Sequence, residues 1–203
     1  IFTFIIINFL GINQSYSIEP DVFVQSTVNR ASDALNNKYS KEEKIEKLKQ
    51  IASETVDING IGYYTLGAYR KTINENEINQ YEKLFEQYFL KSFSSRLAEY
   101  SNLEIEVVSK TELNENYTMV SSILAGTEQR PEVKIDWRIY TKNPEKPLIR
   151  DLIIEGLSLA RTQKEEFSSI IQSNDGDINA LFSTLKEFIK LSLIHISEPT
   201  RRS

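Results

Sequence analysis

The first part of the chain carries its apolar residues at helical spacing. Behind Pro20, a residue suited to the first turn of a helix, apolar side chains recur three or four positions apart at Val24, Val28, Ala31 and Leu35. Ser40 and Glu43 form the Ser-x-x-Glu pattern of a capping box ahead of a second apolar stripe. The pattern predicts two amphipathic helices before Asp57.

A glycine-containing segment and a long helix follow. The segment Asp57 to Thr72 holds Gly60, Gly62 and Gly67, and it predicts short, broken helical turns. Capping residues between Thr72 and Glu75 then introduce a helix that extends to about Tyr100. Its apolar stripe is unusually aromatic and consists of Ile78, Tyr81, Phe85, Tyr88, Phe89, Phe93 and Leu97.

The second half changes to the period of two that is typical of strands. Alternating or continuous apolar runs predict four strands, at residues 103–107, 117–125, 133–139 and 148–159, with turns at 112–116 and 143–147. Two helices close the chain, at 162–173 and from Ile178 to about Leu191. Helices, then four antiparallel strands, then helices predict an α+β fold with helices covering a curved sheet.

The two ends differ from the rest. Residues 1–12 are almost wholly apolar and precede Ser15 and Ser17, small residues typical of a cleavage site. We expect residues 1–17 to be a partial signal peptide; a buried strand is the alternative. Residues 193–203 resemble the translated sequencing-adapter tails of fragmentary genes, so we expect a non-native tail there. The expected domain is 18–192, mainly helical over 18–101 and a sheet with two helices over 102–192.

Composition narrows the function classes. The 203 residues are 40% apolar and 26% charged, with a net charge of −5 and both signs interspersed. Binding to nucleic acid needs clustered Lys and Arg, so nucleic acid is not an expected partner. There is no cysteine, and the single histidine lies in the suspected tail. Disulfides and the usual nucleophile, phosphate-loop and zinc motifs are therefore missing from the sequence.

Carboxylates and one serine are the remaining candidates for chemistry. Asp151 and Glu155 share a strand face and are expected to meet Arg138 or Lys134 across the sheet as structural pairs. The one enzyme hypothesis left open is a lipase built around Ser158, which a buried Asp or Glu beside it would favour. We otherwise expect no catalysis, no metal and no cofactor.

The run Asp151 to Ile171 passes from a strand through Glu155-Gly156-Leu157-Ser158-Leu159 into a helix with Thr162-Gln163 and Glu166-Phe167. This run resembles the MlaC-type phospholipid-binding proteins, also called the toluene-tolerance family, of the maintenance-of-lipid-asymmetry system. The resemblance covers about residues 20–191. Pro144 and Pro147 depart from it, since the family often has a glycine-containing turn there. It implies a cone-shaped fold related to nuclear transport factor two, with an apolar cavity between sheet and helices.

The resemblance also implies a lipid-binding face, for which ordinary core packing is the alternative at every position. The expected acyl-chain contacts are Leu66, Tyr69, Phe85, Phe89, Phe93, Ile123, Ile135, Trp137, Ile139, Ile153 and Leu157. Arg70 and Lys71 are placed near the head group, with a solvated pair as the alternative.

The function that the resemblance implies is a monomeric, exported periplasmic carrier of phospholipid. Its implied partners are an inner-membrane ABC transporter with a membrane-anchored lipid-binding subunit and an outer-membrane lipoprotein complex. A binding module or chaperone for hydrophobic peptides or lipoprotein tails is the second hypothesis, and a lipid-modifying enzyme is the third.

Overall fold

The computed structural model describes residues 17–100, 103–128 and 131–197, with side chains up to Leu191. The predicted signal peptide therefore lies, apart from Ser17, outside the described residues. The described helices are α1 (Pro20–Ala34), α2 (Lys41–Thr55), α3 (Ile58–Thr65), α4 (Glu75–Leu97), α5 (Leu159–Gln172) and α6 (Ile178–Ser197). The strands are β1 (Ile105–Asn114), β2 (Tyr117–Leu124), β3 (Val133–Tyr140), β4 (Leu148–Ile154) and β5 (Leu157–Ser158).

Capping residues fix the starts of the helices. In α2 the Glu43 amide donates to Ser40 Oγ at 3.2 Å, and the Ser40 amide donates to the Glu43 carboxylate at 2.8 Å. Asn74 and Glu77 form the same box at the start of α4. Each box satisfies amides that have no partner within the helix. The capping box predicted at Ser40 is confirmed.

The sheet is antiparallel and open, with strand order β1-β2-β3-β4-β5. Register shifts place extra residues in the sheet at Val108 and Leu113 of β1 and at Arg150 of β4. Such bulges bend a strand and increase its twist. The α+β fold class predicted from the sequence is confirmed; the described residues form five strands, where the sequence predicted about four.

The fifth strand results from a turn inside the run predicted as one strand. Glu155 and Gly156 both have positive φ, at 49° and 83°. Two such residues form the tight hairpin turn whose twist suits antiparallel strands. Leu157 and Ser158 therefore fold back against Ile154 and Ile153, and the predicted continuous strand was wrong at this point.

Two helix boundaries also differ from the prediction. Helix α5 begins at Leu159, before the predicted Thr162, because Ser158 Oγ accepts the Arg161 amide and caps the helix. Helix α6 continues to Ser197, past the predicted end near Leu191. No proline or glycine interrupts residues 178–197, and the first helix-breaking residue is Pro199.

Buried apolar side chains in the described part of the chain form three clusters. The sheet cluster joins α1 to β2, β3 and β4, and its buried members include Val28, Val120, Ile139 and Ile149. The helical cluster joins α3, α4, α5 and α6 around Tyr81 and Phe85. The third cluster lies between α1, α2 and the end of α4. Val56 packs against both the sheet cluster and the helical cluster, so the two meet at the junction of α2 and α3.

Candidate cavities and their lining

The described residues include two cavities that are open to the surface. The first, of about 460 Å³, lies between α1 and the ends of β1 and β2, and Ile123 contributes to its lining. The second, of about 400 Å³, is called here the bulge cavity. Its lining residues are Gly60, Ile61, Tyr64, Leu113, Asn114, Tyr117, Arg138, Arg150, Asp151 and Ala160. Both volumes lie toward the lower end of the range for small-molecule pockets, about 300–1,000 Å³.

Arg150 is held firmly at one wall of the bulge cavity. Its Nε donates to Asp57 Oδ2 at 2.6 Å, and its Nη1 donates to the Tyr117 hydroxyl at 2.7 Å. The guanidinium also lies 4.0 Å from the centre of the Tyr140 ring. Burial lowers the pKa of Arg150, but the hydrogen bond and charge of Asp57 more than offset it, so that its pKa is raised and the side chain stays cationic.

Asp151 lies behind Arg138 and is only 4% exposed. Its Oδ2 accepts the Ser158 hydroxyl at 2.6 Å, and its Oδ1 accepts the Ala160 amide at 3.0 Å. The Arg138 guanidinium lies 3.9 Å from Oδ2. The predicted meeting of Asp151 with Arg138 is therefore present, and the carboxylate also fixes the start of α5.

This arrangement contains the buried carboxylate beside Ser158 that would favour an enzyme. The Ser158 hydroxyl, however, donates to Asp151 and accepts the Arg161 amide at 3.1 Å. Both groups therefore serve as hydrogen-bonding partners for the first turn of α5. Among the described residues, no group of three His, Cys, Asp or Glu side chains is arranged to hold a metal ion.

The predicted acyl-chain residues fall mainly into two groups. Leu66 and Phe85 are buried in the helical cluster, where Tyr69 and Phe89 pack against them. Phe93 stacks on Phe89, with ring centres 5.6 Å apart. The second group belongs to the sheet cluster and consists of Ile135, Trp137 and Ile139. Trp137 donates its indole N–H to Ser122 Oγ at 2.8 Å, so its one polar group is satisfied.

Four predicted residues lie outside both clusters: Phe93, which contacts Phe89, and the three described next. Ile123 lines the first cavity. Ile153 is half-buried and stands opposite Asp136 and Ser158. Leu157 is 60% exposed, because the turn at Glu155 and Gly156 carries it to the edge of the sheet. Leu157 therefore does not line an enclosed cavity in this structure.

The two predicted head-group residues belong to the short 3-10 helix that follows α3. The Arg70 guanidinium stacks on the Tyr63 ring at 5.2 Å, and Lys71 is exposed at the end of the short 3-10 helix Tyr69–Lys71. Neither side chain lines the bulge cavity or the first cavity. The cations that line a cavity are Arg138 and Arg150.

The sequence pattern did not indicate that Arg150 would line a cavity together with Arg138. Strict alternation along β4 would put Arg150 and Asp151 on opposite faces of the sheet. The bulge at Arg150 gives both residues access to one cavity. A bulge depends on the pairing of two strands, so alternation along one strand does not reveal it.

Within the described residues, buried apolar clusters adjoin two surface cavities. The profile of the family described as MlaC protein matches residues 25–187. The chain belongs to this family, which indicates a binding protein rather than an enzyme. No curated protein matches the chain.

A solved structure shares the fold. It is a phospholipid-binding protein from Ralstonia solanacearum in complex with a phospholipid. The TM-score is 0.71 at 17% identity, and the match covers 86% of this chain and 98% of that one. Within the described part of this chain, no helix has the length and apolar composition needed to cross a membrane.

Proposed function

We propose that the protein is a periplasmic phospholipid carrier that performs no chemistry on its cargo. In this proposal it moves lipid between an inner-membrane ABC transporter, with its membrane-anchored lipid-binding subunit, and an outer-membrane lipoprotein complex. Membership of the MlaC family carries the proposal. The fold shared with a protein that is itself in complex with a phospholipid supports it.

The energetics of lipid transfer favour a carrier with an apolar interior. A lipid with two chains of about 16 carbons hides about 30 methylenes, and exposing them to water costs on the order of 20 kcal/mol. An apolar compartment removes most of this cost. Since the bilayer and the compartment are both apolar, transfer between them is nearly balanced in free energy. The direction of transport must then come from the partners.

The acyl chains are proposed to enter between the helical cluster and the sheet cluster. Seven of the predicted contact residues belong to these clusters or pack against them: Leu66, Tyr69, Phe85, Phe89, Ile135, Trp137 and Ile139. Val56 touches both clusters where they meet. Each described cavity is small for a diacyl lipid, so loading is expected to widen the space between the clusters.

Mass spectrometry tests the carrier proposal. The chain is expressed with an export signal in a Gram-negative host, and the purified protein is analysed in its native state and after organic extraction. Stoichiometric phospholipid is expected. A folded protein without lipid would contradict the proposal, and bound peptide or lipoprotein in place of phospholipid would favour the peptide-binding hypothesis.

Photo-crosslinking locates the chains. p-Benzoylphenylalanine at Trp137, in the sheet cluster, and at Phe89, beside the helical cluster, is expected to crosslink to phospholipid in cells. The control position is Tyr39, a half-buried ring beside Lys38 and Lys47 that belongs to neither cluster. Crosslinks at Tyr39 alone would reject the proposed location of the chains.

A further inference from the structure

The bulge cavity brings together side chains that regular strands would separate. Register shifts at Leu113 and at Arg150 each set two consecutive residues against one residue of the neighbouring strand. Leu113 and Asn114 both line the cavity, and so do Arg150 and Asp151. Bulges commonly redirect side chains next to binding sites. The bulges at Leu113 and Arg150 therefore both contribute side chains to the same cavity.

The cavity is lined by two arginines, of which Arg150 is already paired with Asp57 and Arg138 has no carboxylate within close hydrogen-bonding distance. Arg138 and Arg150 line it together with one carboxylate, Asp151. Asp151 already accepts hydrogen bonds from Ser158 and Ala160. In the described part of the chain, the Arg138 guanidinium donates no hydrogen bond, and its contact with Asp151 is a long 3.9 Å. Arg138 is 44% exposed, so its N–H groups remain available to an anion.

Part of the cavity wall is apolar. Ile61 and Ala160 line the cavity and are also buried members of the helical cluster. A small inorganic anion gains nothing from such a wall, whereas a lipid whose chains continue into the cluster does. The Tyr64 ring and the Tyr117 hydroxyl, which accepts from Arg150, complete a rim of mixed character.

We infer that the bulge cavity binds the phosphate group of the lipid cargo, with Arg138 as the principal contact and Arg150 as a second cation fixed by Asp57. This inference rests on the proposed function and assigns the head group to Arg138 and Arg150 in place of Arg70 and Lys71. A planar guanidinium can donate two parallel hydrogen bonds to phosphate oxygens. The glycerol backbone then lies toward Ile61, and the chains continue into the space between the helical cluster and the sheet cluster.

The test compares three probes on the delipidated full chain by titration followed with NMR. The probes are dihexanoyl phosphatidylglycerol, the phosphate-free dihexanoylglycerol, and inorganic phosphate. Arg138→Gln should weaken binding of the phospholipid by about tenfold to a hundredfold, the range for a lost hydrogen bond to a charged group. Its affinity for dihexanoylglycerol should equal that of the wild type. Arg138→Lys, which keeps the charge without the planar donors, should give an intermediate loss.

The matched control is Arg96→Gln, an exposed arginine of α4 outside the cavity lining, which should bind all three probes like the wild type. Unchanged phospholipid affinity in Arg138→Gln, or equal losses for both lipids, would overturn the inference. Inorganic phosphate binding as tightly as the phospholipid would identify a free-phosphate site and reject the lipid assignment. If Arg138→Gln does not fold, Arg138→Lys decides. A wild type that carries no lipid after export refutes the carrier proposal independently of this titration.

Discussion

Asp57 and Arg150 join the helices to the sheet through a hydrogen bond of 2.6 Å between Oδ2 and Nε. The Asp57 amide also donates to the carbonyl of Ile149, and its Oδ1 accepts the amide of Gly60 at the start of α3. One residue therefore caps a helix, pairs with a strand and anchors a cavity arginine. The apolar clusters meet beside it at Val56.

Asp57→Asn should destabilise the protein by about 1–2 kcal/mol, because the partly exposed Arg150 loses a charged partner while an amide oxygen can still cap α3. Asp57→Ala should cost about 1 kcal/mol more through loss of the cap. Urea denaturation measures both. The control is Glu54→Gln in the exposed pair with Arg30, for which little change is expected. Equal effects of Asn and Ala at position 57 would argue against the separate cap.

Gly62→Ala should destabilise the junction of α3 and α4. A methyl group at Gly62 would lie 2.8 Å from Cδ1 of the buried Phe85. Alanine improves helix propensity by about 1 kcal/mol, but overpacking typically costs about 1–3 kcal/mol, so we expect a net loss near 1 kcal/mol. Asn59→Ala, at an exposed position of the same helix, is the control and should be neutral or slightly stabilising.

A smaller side chain at position 85 should relieve the clash between Phe85 and the methyl group of Gly62→Ala. Phe85→Leu removes the ring atom that a methyl group at Gly62 would meet, so the two substitutions should cost less together than the sum of their separate costs. Thermal unfolding of the four proteins in this cycle measures the coupling. Simple additivity would mean that the close approach of Gly62 to Phe85 does not limit the packing.

Tyr81→Phe should reduce the sensitivity of the fold to alkaline pH. The Tyr81 ring is fully buried, and its hydroxyl lies 2.7 Å from Thr65 Oγ. Burial raises the pKa of Tyr81 above the usual 10. The unfolded chain therefore ionises this hydroxyl first, and the stability from the protonated native form is present below pH 10 and lost as the pH rises above it.

At pH 8 the variant should be less stable than the wild type by about 1 kcal/mol, the cost of one hydrogen bond. At pH 11 the difference should shrink by about 1 kcal/mol, because phenylalanine does not ionise. Urea midpoints at the two pH values provide the measurement. Tyr63→Phe, at an exposed ring, should leave the alkaline loss unchanged. If the stability difference between Tyr63→Phe and the wild type changes equally between pH 8 and pH 11, the alkaline loss does not come specifically from Tyr81.

Ser158→Ala should retain full lipid loading. The Ser158 hydroxyl caps α5 and donates to Asp151, so its removal should cost about 1 kcal/mol of stability. Lipid extracted from the exported variant should match the wild type in amount and composition. Wild-type protein that releases fatty acid from phospholipid, with the activity absent in Ser158→Ala, would instead support the lipase hypothesis.

The local pattern of the sequence already determines most of the elements. The stripe from Val24 to Leu35 and the capping box at Ser40 predict α1 and α2, because helix periodicity and capping act over a few neighbouring residues. The same holds for the aromatic stripe of α4 and for the alternation along β3. The resemblance of the run Asp151 to Ile171 extends this to the family, and the profile over residues 25–187 confirms it.

Tertiary structure alone decided which side chains meet. The bulge at Arg150 and the turn at Glu155 and Gly156 depend on how β4 pairs with its neighbours, and strand pairing is a long-range choice that local periodicity does not encode. The bulge gives Arg150 access to the cavity beside Arg138, and the turn leaves Leu157 exposed. The sequence thus determined the elements and the family, whereas the lining of the cavities was decided by the register of the sheet.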